Sequence, residues 1–115
     1  MDAKEIKFFV KRIFTKDLSL ESPDAPAIFD NIKSTPKIAF NLNTTITEVD
    51  DTTYDITLEI TVKAELDETV IYMVDLKQAG LFIIDGADDE LKDGFLNIRC
   101  PEVLFPYARE TISSL

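Results

Sequence analysis

The chain has 115 residues, a length that suits one small domain with a single core. Hydrophobic residues at 45% and charged residues at 30% exclude collagen-like, low-complexity and disulfide-scaffold chains. Twelve basic residues against twenty-two acidic ones leave a net charge of −10, which argues against nucleic acid and anionic membranes and for a basic protein partner.

The N-terminus reads Met1-Asp2-Ala3-Lys4-Glu5, and Lys7 and Lys11-Arg12 interrupt the apolar residues that follow, so it is not a signal peptide. Ile6 to Phe14 interleave Phe8, Val10 and Phe14 with Phe9 and Ile13, which predicts a first strand with apolar groups on both faces. A strand of that kind needs cover on both faces, from helices or from a second subunit. Glu21 to Pro26, continuing to Ser34-Thr35-Pro36, carries three prolines and predicts a long loop of the kind that often has a function.

Ile38, Phe40, Leu42, Thr44 and Ile46 then alternate with Lys37, Ala39, Asn41, Asn43 and Thr45. Ile38 to Thr47 is the longest run without a charge, far too short to span a membrane. A turn at Asp50-Asp51-Thr52 leads into the strictest alternation, with Tyr54, Ile56, Leu58, Ile60, Val62, Ala64 and Leu66 against Asp55, Thr57, Glu59, Thr61, Lys63 and Glu65. A sustained period of two means a half-buried strand, so the second and third strands form an antiparallel hairpin. Asp67-Glu68 turns the chain into a fourth strand, Thr69 to Leu76, again apolar on both faces. Gly80 precedes a further apolar run, Leu81-Phe82-Ile83-Ile84, which ends at Asp85-Gly86.

From Asp88 the period changes. Asp88 and Asp89 can cap a helix whose inner face is Leu91, Phe95 and Ile98. Pro101 breaks that helix and starts another, along which Leu104, Ala108, Ile112 and Leu115 repeat at helical spacing, with Pro106 distorting its first turn. The stripe stops at Leu115 without a cap, as in a shortened chain. The expected fold class is therefore α+β, four antiparallel strands with a long crossover loop and C-terminal helices packed on one side.

The composition also limits the chemistry. No histidine is present for triads, acid–base catalysis or the common zinc sites, and no Walker-type phosphate loop occurs. Cys100 is a lone thiol with no Cys, His or Lys beside it, which reads as buried and structural and suits a reducing cytoplasm. Adjacent acids such as Asp50-Asp51 and Asp88-Asp89 are explained by capping and solvation rather than by glycosidase chemistry. No catalytic residue, metal or cofactor is expected.

Three stretches resemble one known family: Arg12 to Pro26 (RIFTKDLSLESPDAP), Gln78-Ala79-Gly80-Leu81-Phe82, and Cys100 to Glu110 (CPEVLFPYARE). Their order and separation are similar to those of the bacterial export chaperone SecB, across the whole of residues 1–115. The resemblance implies a cytoplasmic dimer of dimers, a holdase that keeps preproteins unfolded and passes them to the motor ATPase SecA. Ala79 stands where the family usually has a second glycine, and the family's last helix and acidic tail are absent after Leu115.

The candidate sites follow from the two readings together. The apolar faces of the second and third strands, Ile38, Phe40, Leu42, Ile46, Tyr54, Ile56, Leu58 and Ile60, read as core by alternation alone, while the resemblance implies a client groove there. In the fourth strand Val74, Leu76 and Gln78 share one face and Met73 and Asp75 the other, as alternation requires. The resemblance places the first set at the contact between dimers, and Met73 and Asp75, with Asp17 and Glu21, in the SecA-binding patch. The segment from Glu48 to Glu90 sets its many acids against Lys63 and Lys77 alone, consistent with a segregated acidic surface. Two other functions stay open on the sequence. One is a SecB-like chaperone dedicated to a single client such as an antitoxin. The other is a small-molecule-binding α+β cup using Tyr54, Tyr72 and Tyr107.

Overall fold

The computed structural model describes residues 5–22 and 35–115. Strands β1 (Lys7–Glu21), β2 (Lys37–Glu48), β3 (Thr53–Leu66) and β4 (Thr69–Asp85) form one antiparallel sheet in the order β1-β4-β3-β2. Helix α1 (Asp89–Gly94), a π-helical stretch (Phe95–Arg99) and helix α2 (Cys100–Ser113) follow and pack on one face. This is the α+β arrangement expected. The long loop expected between the first two strands lies mostly outside the described residues.

Local chemistry explains the hairpins. The Asp50 carboxylate accepts hydrogen bonds from the Thr52 and Thr53 amides at 3.0 and 2.8 Å, which closes the β2–β3 turn. Asp67 and Glu68 both have positive φ, 50° and 66°, the twist that lets a two-residue turn continue the strands β3 and β4.

The first and fourth strands are longer than the sequence suggests. β1 runs on past Phe14 to Glu21, and its pairing with β4 carries register shifts between Val10 and Arg12 and between Thr15 and Asp17. Each extra residue reverses the parity of the side chains. The helix-bearing face of β1 is thus read as Phe8 and Val10, then Ile13 and Thr15, then Leu18 and Leu20. Much of its apparent two-sidedness is one face read through two bulges, although Phe9 and Phe14 do lie on the other face. β4 is one unbroken strand from Thr69 to Asp85. Gly80 sits in it because a Cβ there would lie 2.7 Å from the Phe82 ring and 2.9 Å from Leu104 Cδ2, so helix and sheet approach too closely for a side chain.

The helical segment also differs in phase. Asp88 caps α1 as expected, its carboxylate accepting from the Leu91 amide at 2.8 Å. Leu91 and Ile98, however, are exposed, and Leu96 and Cys100 take the inner positions. The wider turn of Phe95–Arg99 shifts the apolar stripe and brings Phe95 flat against Phe8, centroids 4.7 Å apart. Pro101 falls in the first turn of α2, where its missing amide hydrogen costs little, so the helical path continues instead of breaking. The core is Tyr54, Ile56, Leu58 and Ile60 of β3 and Leu76, Phe82 and Ile84 of β4, beneath Leu96, Cys100, Leu104 and Ala108. Burial alone pushes the Cys100 thiol up to about 12, in keeping with a structural role.

Candidate functional site

The helix-bearing face of the sheet is apolar across all four strands. Register places Leu42, Ile60, Leu76 and Leu18 in one row, and Phe40, Val62, Val74 and Leu20 in the next. Helix α2 contacts β3 and β4, and its apolar stripe is one helix wide, so it leaves the margins of the face open. Every residue of β2 is exposed, including Ile38 at 65%, Phe40 at 55%, Leu42 at 44% and Ile46 at 37%.

The expected apolar site therefore divides. Ile38, Phe40, Leu42 and Ile46 form an open row, whereas Tyr54, Ile56, Leu58 and Ile60 are buried core beneath the helices. That corrects the placement of the β3 half. Its side chains have the same period and the same facing, but they lie one strand nearer the helix.

A second open feature lies where α2 ends. Leu20, Ser22, Tyr72, Val74, Ile112 and Leu115 line a cavity of about 330 Å³. Sequence reasoning missed it. Of its lining residues, Tyr72 and Val74 share the even-numbered face of β4, and Leu20 joins them only after the second bulge of β1.

Val74, Leu76 and Gln78 do share one face, as alternation predicts, but it is this helix-bearing face and all three are buried within the single chain. Gln78 donates from Nε2 to the Phe14 carbonyl oxygen at 3.1 Å, and its Oε1 accepts from Thr15 Oγ1 at 3.4 Å and Thr111 Oγ1 at 3.5 Å. These side chains bolt β1, β4 and α2 together, so they are not presented to a second copy by the chain as it stands.

Asp17, Glu21, Met73 and Asp75 are brought together on the opposite face. Glu21 lies across from Met73, Ser19 from Asp75, and Asp17 from Lys77. Thr61 Oγ1 donates to Asp75 Oδ1 at 2.7 Å, orienting that carboxylate. Thr57 and Ala79 are buried on this face. Lys16, at the second bulge of β1, reaches across β4 to Asp55 Oδ2 at 2.9 Å and Thr57 Oγ1 at 2.8 Å. The small side chain of Ala79, opposite Thr57, leaves room for that crossing. Sequence reasoning missed this clasp, because Lys16 and Asp55 are related only through the sheet order.

Among the described residues, no group of three His, Cys, Asp or Glu side chains is placed to hold a metal. No described helix is long and apolar enough to cross a membrane. The arrangement offers open apolar surface on one face and oriented carboxylates on the other.

A family model described as preprotein translocase subunit SecB matches residues 1–115. The protein-export protein SecB of Legionella pneumophila is 42% identical over 110 residues, covering 96% of this chain and 67% of that protein. The SecB proteins of Hahella chejuensis and Methylococcus capsulatus are 39% and 36% identical, covering 97% and 96% of this chain and 70% and 71% of theirs. Among solved structures, a SecB-like chaperone of Mycobacterium tuberculosis, in complex with an antitoxin peptide, superposes with a TM-score of 0.70 at 14% identity. That alignment covers 90% of this chain and 77% of the other, and it shows a shared fold.

Proposed function

This chain belongs to the SecB family of protein-export chaperones, and from that premise we propose that it holds unfolded preproteins on the open row of β2 and in the cavity at the end of α2. The observation that carries the reading is the row itself. Four large apolar side chains stand exposed along one face of a single strand, in a chain of net charge −10. Full burial of such a side chain is worth roughly 1.5–3 kcal/mol, and each is already partly covered, so each contact with an extended client is weak. Several weak contacts in one oligomer give avidity without sequence-specific recognition, which suits varied unfolded clients. The reading involves no catalysis and no cofactor, and it locates the protein in the cytoplasm.

The acidic face serves SecA in this proposal. Asp17, Glu21 and Asp75, with Met73 beside them, gather negative charge and one apolar side chain on the side of the sheet away from the client row. Complementary charge of this kind speeds encounter and rejects wrong partners more than it adds affinity. Assembly of copies, the dimer of dimers, would draw on surfaces left apolar outside the chain's own core. Ile98, Phe9 and Leu91 are exposed surfaces of that kind.

The test is dilution of a chemically unfolded preprotein into this chain, with the native preprotein as control. Suppressed aggregation of the unfolded form alone is expected, and its loss in Phe40→Asp with Leu42→Asp would assign the row. If that double variant, still folded, suppresses aggregation as well as the parent, the row is not the client site. Asp17→Lys, Glu21→Lys and Asp75→Lys should weaken SecA binding and leave client holding nearly unchanged. A client-dedicated reading gains no support from the Mycobacterium tuberculosis likeness, which at 14% identity carries the fold and not the ligand.

A further inference from the structure

We propose that Lys16 is a positioning residue for the acidic face, an inference that rests on the reading of that face as the SecA surface. Its clasp on Asp55 pins the second bulge of β1, and that bulge turns Asp17 and Glu21 toward the partner. Thr15 lies on the helix-bearing face, where its Oγ1 donates to Gln78 Oε1 at 3.4 Å. Strict alternation from Thr15 would return Asp17, Ser19 and Glu21 to that apolar face and send Leu18 and Leu20 outward. Thr15 instead pairs with Gln78 and Asp17 with Lys77, so Lys16 is the extra residue that reverses the parity. One residue therefore sets both faces at this end of the sheet, acids on one and Leu18 and Leu20 on the other.

The core does not hold this end of β1. Thr15 to Glu21 are exposed throughout, Leu18 and Leu20 included. Among the described residues, neither Asp17 nor Glu21 makes a side-chain hydrogen bond or ion pair, whereas Asp75 is oriented by Thr61. Two side-chain contacts bracket the segment. At its far end Ser22 Oγ donates to the Ile71 carbonyl oxygen at 3.0 Å. At its start Lys16 Nζ donates to Asp55 Oδ1 and Oδ2 at 3.1 and 2.9 Å and to Thr57 Oγ1 at 2.8 Å. Thr57 Oγ1 in turn donates to Asp55 Oδ1 at 3.2 Å. β3 pairs with β4 without a shift from Thr53 to Ala64, so the clasp ends on a fixed frame. Lys11, the extra residue of the first shift, makes no such contact among the described residues.

Charge and position make opposite demands of Lys16→Met. The substitution removes one positive charge and frees the Asp55 carboxylate, so by charge alone the face becomes a better surface for a basic partner. Loss of position predicts weaker binding, because Asp17 and Glu21 leave the geometry that the partner meets.

SecA binding and amide hydrogen exchange test this in the parent, Lys16→Met, Lys16→Arg and Asp17→Lys. Lys16→Met should weaken SecA binding by about fivefold, the scale of one or two surface charge contacts. Lys16→Arg keeps a charged donor for the same acceptors and should restore most of that loss. Exchange over residues 17–21 should speed up in Lys16→Met and return in Lys16→Arg, while that of β3 stays as in the parent. Unchanged or tighter SecA binding in Lys16→Met, beside a loss in Asp17→Lys, would overturn the proposal. If Asp17→Lys leaves SecA binding intact, the SecA reading fails instead, and exchange alone decides whether Lys16 positions the segment. Unchanged exchange over residues 17–21 in Lys16→Met overturns the proposal in either case.

Discussion

Strands β2 and β3 carry the same alternation and turn their apolar side chains to the same side of one sheet, yet Ile56 is fully buried and Ile38 is 65% exposed. Neighbouring rows show the same contrast, since Phe40 stands open beside Val62, which packs against the core. What separates them is distance from a helix one stripe wide. Alternation specifies a face, and the element laid across it decides which part becomes core and which stays open as surface for another chain.

The largest expected effect would break the comparison directly. Phe82→Ala removes a fully buried ring that packs beneath α2 and stacks with Phe8, and it should cost about 3–5 kcal/mol by denaturant unfolding. Phe40→Ala removes the same ring from the open row and should change stability by no more than about 0.5 kcal/mol, while lowering capture of an unfolded client. A large stability loss at Phe40 would mean that the row is core after all.

Gly80→Ala tests how tightly the helix holds the covered half. The added methyl meets the Phe82 ring and Leu104 at under 3 Å, an overpacking worth about 1–3 kcal/mol in thermal or denaturant unfolding. The same comparison explains what the sequence could reveal. The faces of β2 and β3 were legible because nothing interrupts their period. β1 was not, because two inserted residues reverse its parity, and Leu18 and Leu20 drop out of any single alternating pattern that includes Ile13. The helix stripe failed for the related reason that a π-helical stretch moves Leu96 and Cys100 into the positions that Leu91 and Ile98 would hold. Asp17 and Glu21 come from the family resemblance and not from the period, and they share a face with Met73 and Asp75 because all four lie past the irregularities of β1 and of β4 at Ile71. The exposure of β2 could not be read locally at all, since it depends on how far α2 reaches.

Two smaller changes act on the supports of each half. Asp88→Ala removes the cap that starts the helical cover and should cost about 1 kcal/mol, seen as a lower thermal midpoint with client capture retained. Lys16→Met removes the clasp that ties β1 to β3 across the opposite face. The pair is partly exposed, at 37% and 21% for its two side chains, so the loss should be roughly 0.2–1 kcal/mol and should shrink as salt rises. An unchanged salt dependence would mean that the clasp holds by packing over Ala79 rather than by charge.

The smallest effect sits at the turn that joins the two strands being compared. The hydrogen bond from the Thr52 amide to the Asp50 carboxylate comes first, with those from Thr53 and the Thr52 hydroxyl adding to it, and together they hold the carboxyl below its ordinary 3.8. A depressed carboxyl favours the folded state while it is ionised. Its contribution is therefore present above the ordinary value and is lost as pH falls through the lower folded one. Asp50→Asn keeps an oxygen acceptor for the turn and removes the titration. The thermal midpoint of the parent should exceed that of Asp50→Asn slightly at neutral pH, and the two should converge as acid protonates Asp50 in the folded chain. A gap that persists in acid would show that the turn depends on shape rather than on the charge of Asp50, and that the β2–β3 hairpin keeps its register when its turn is neutral.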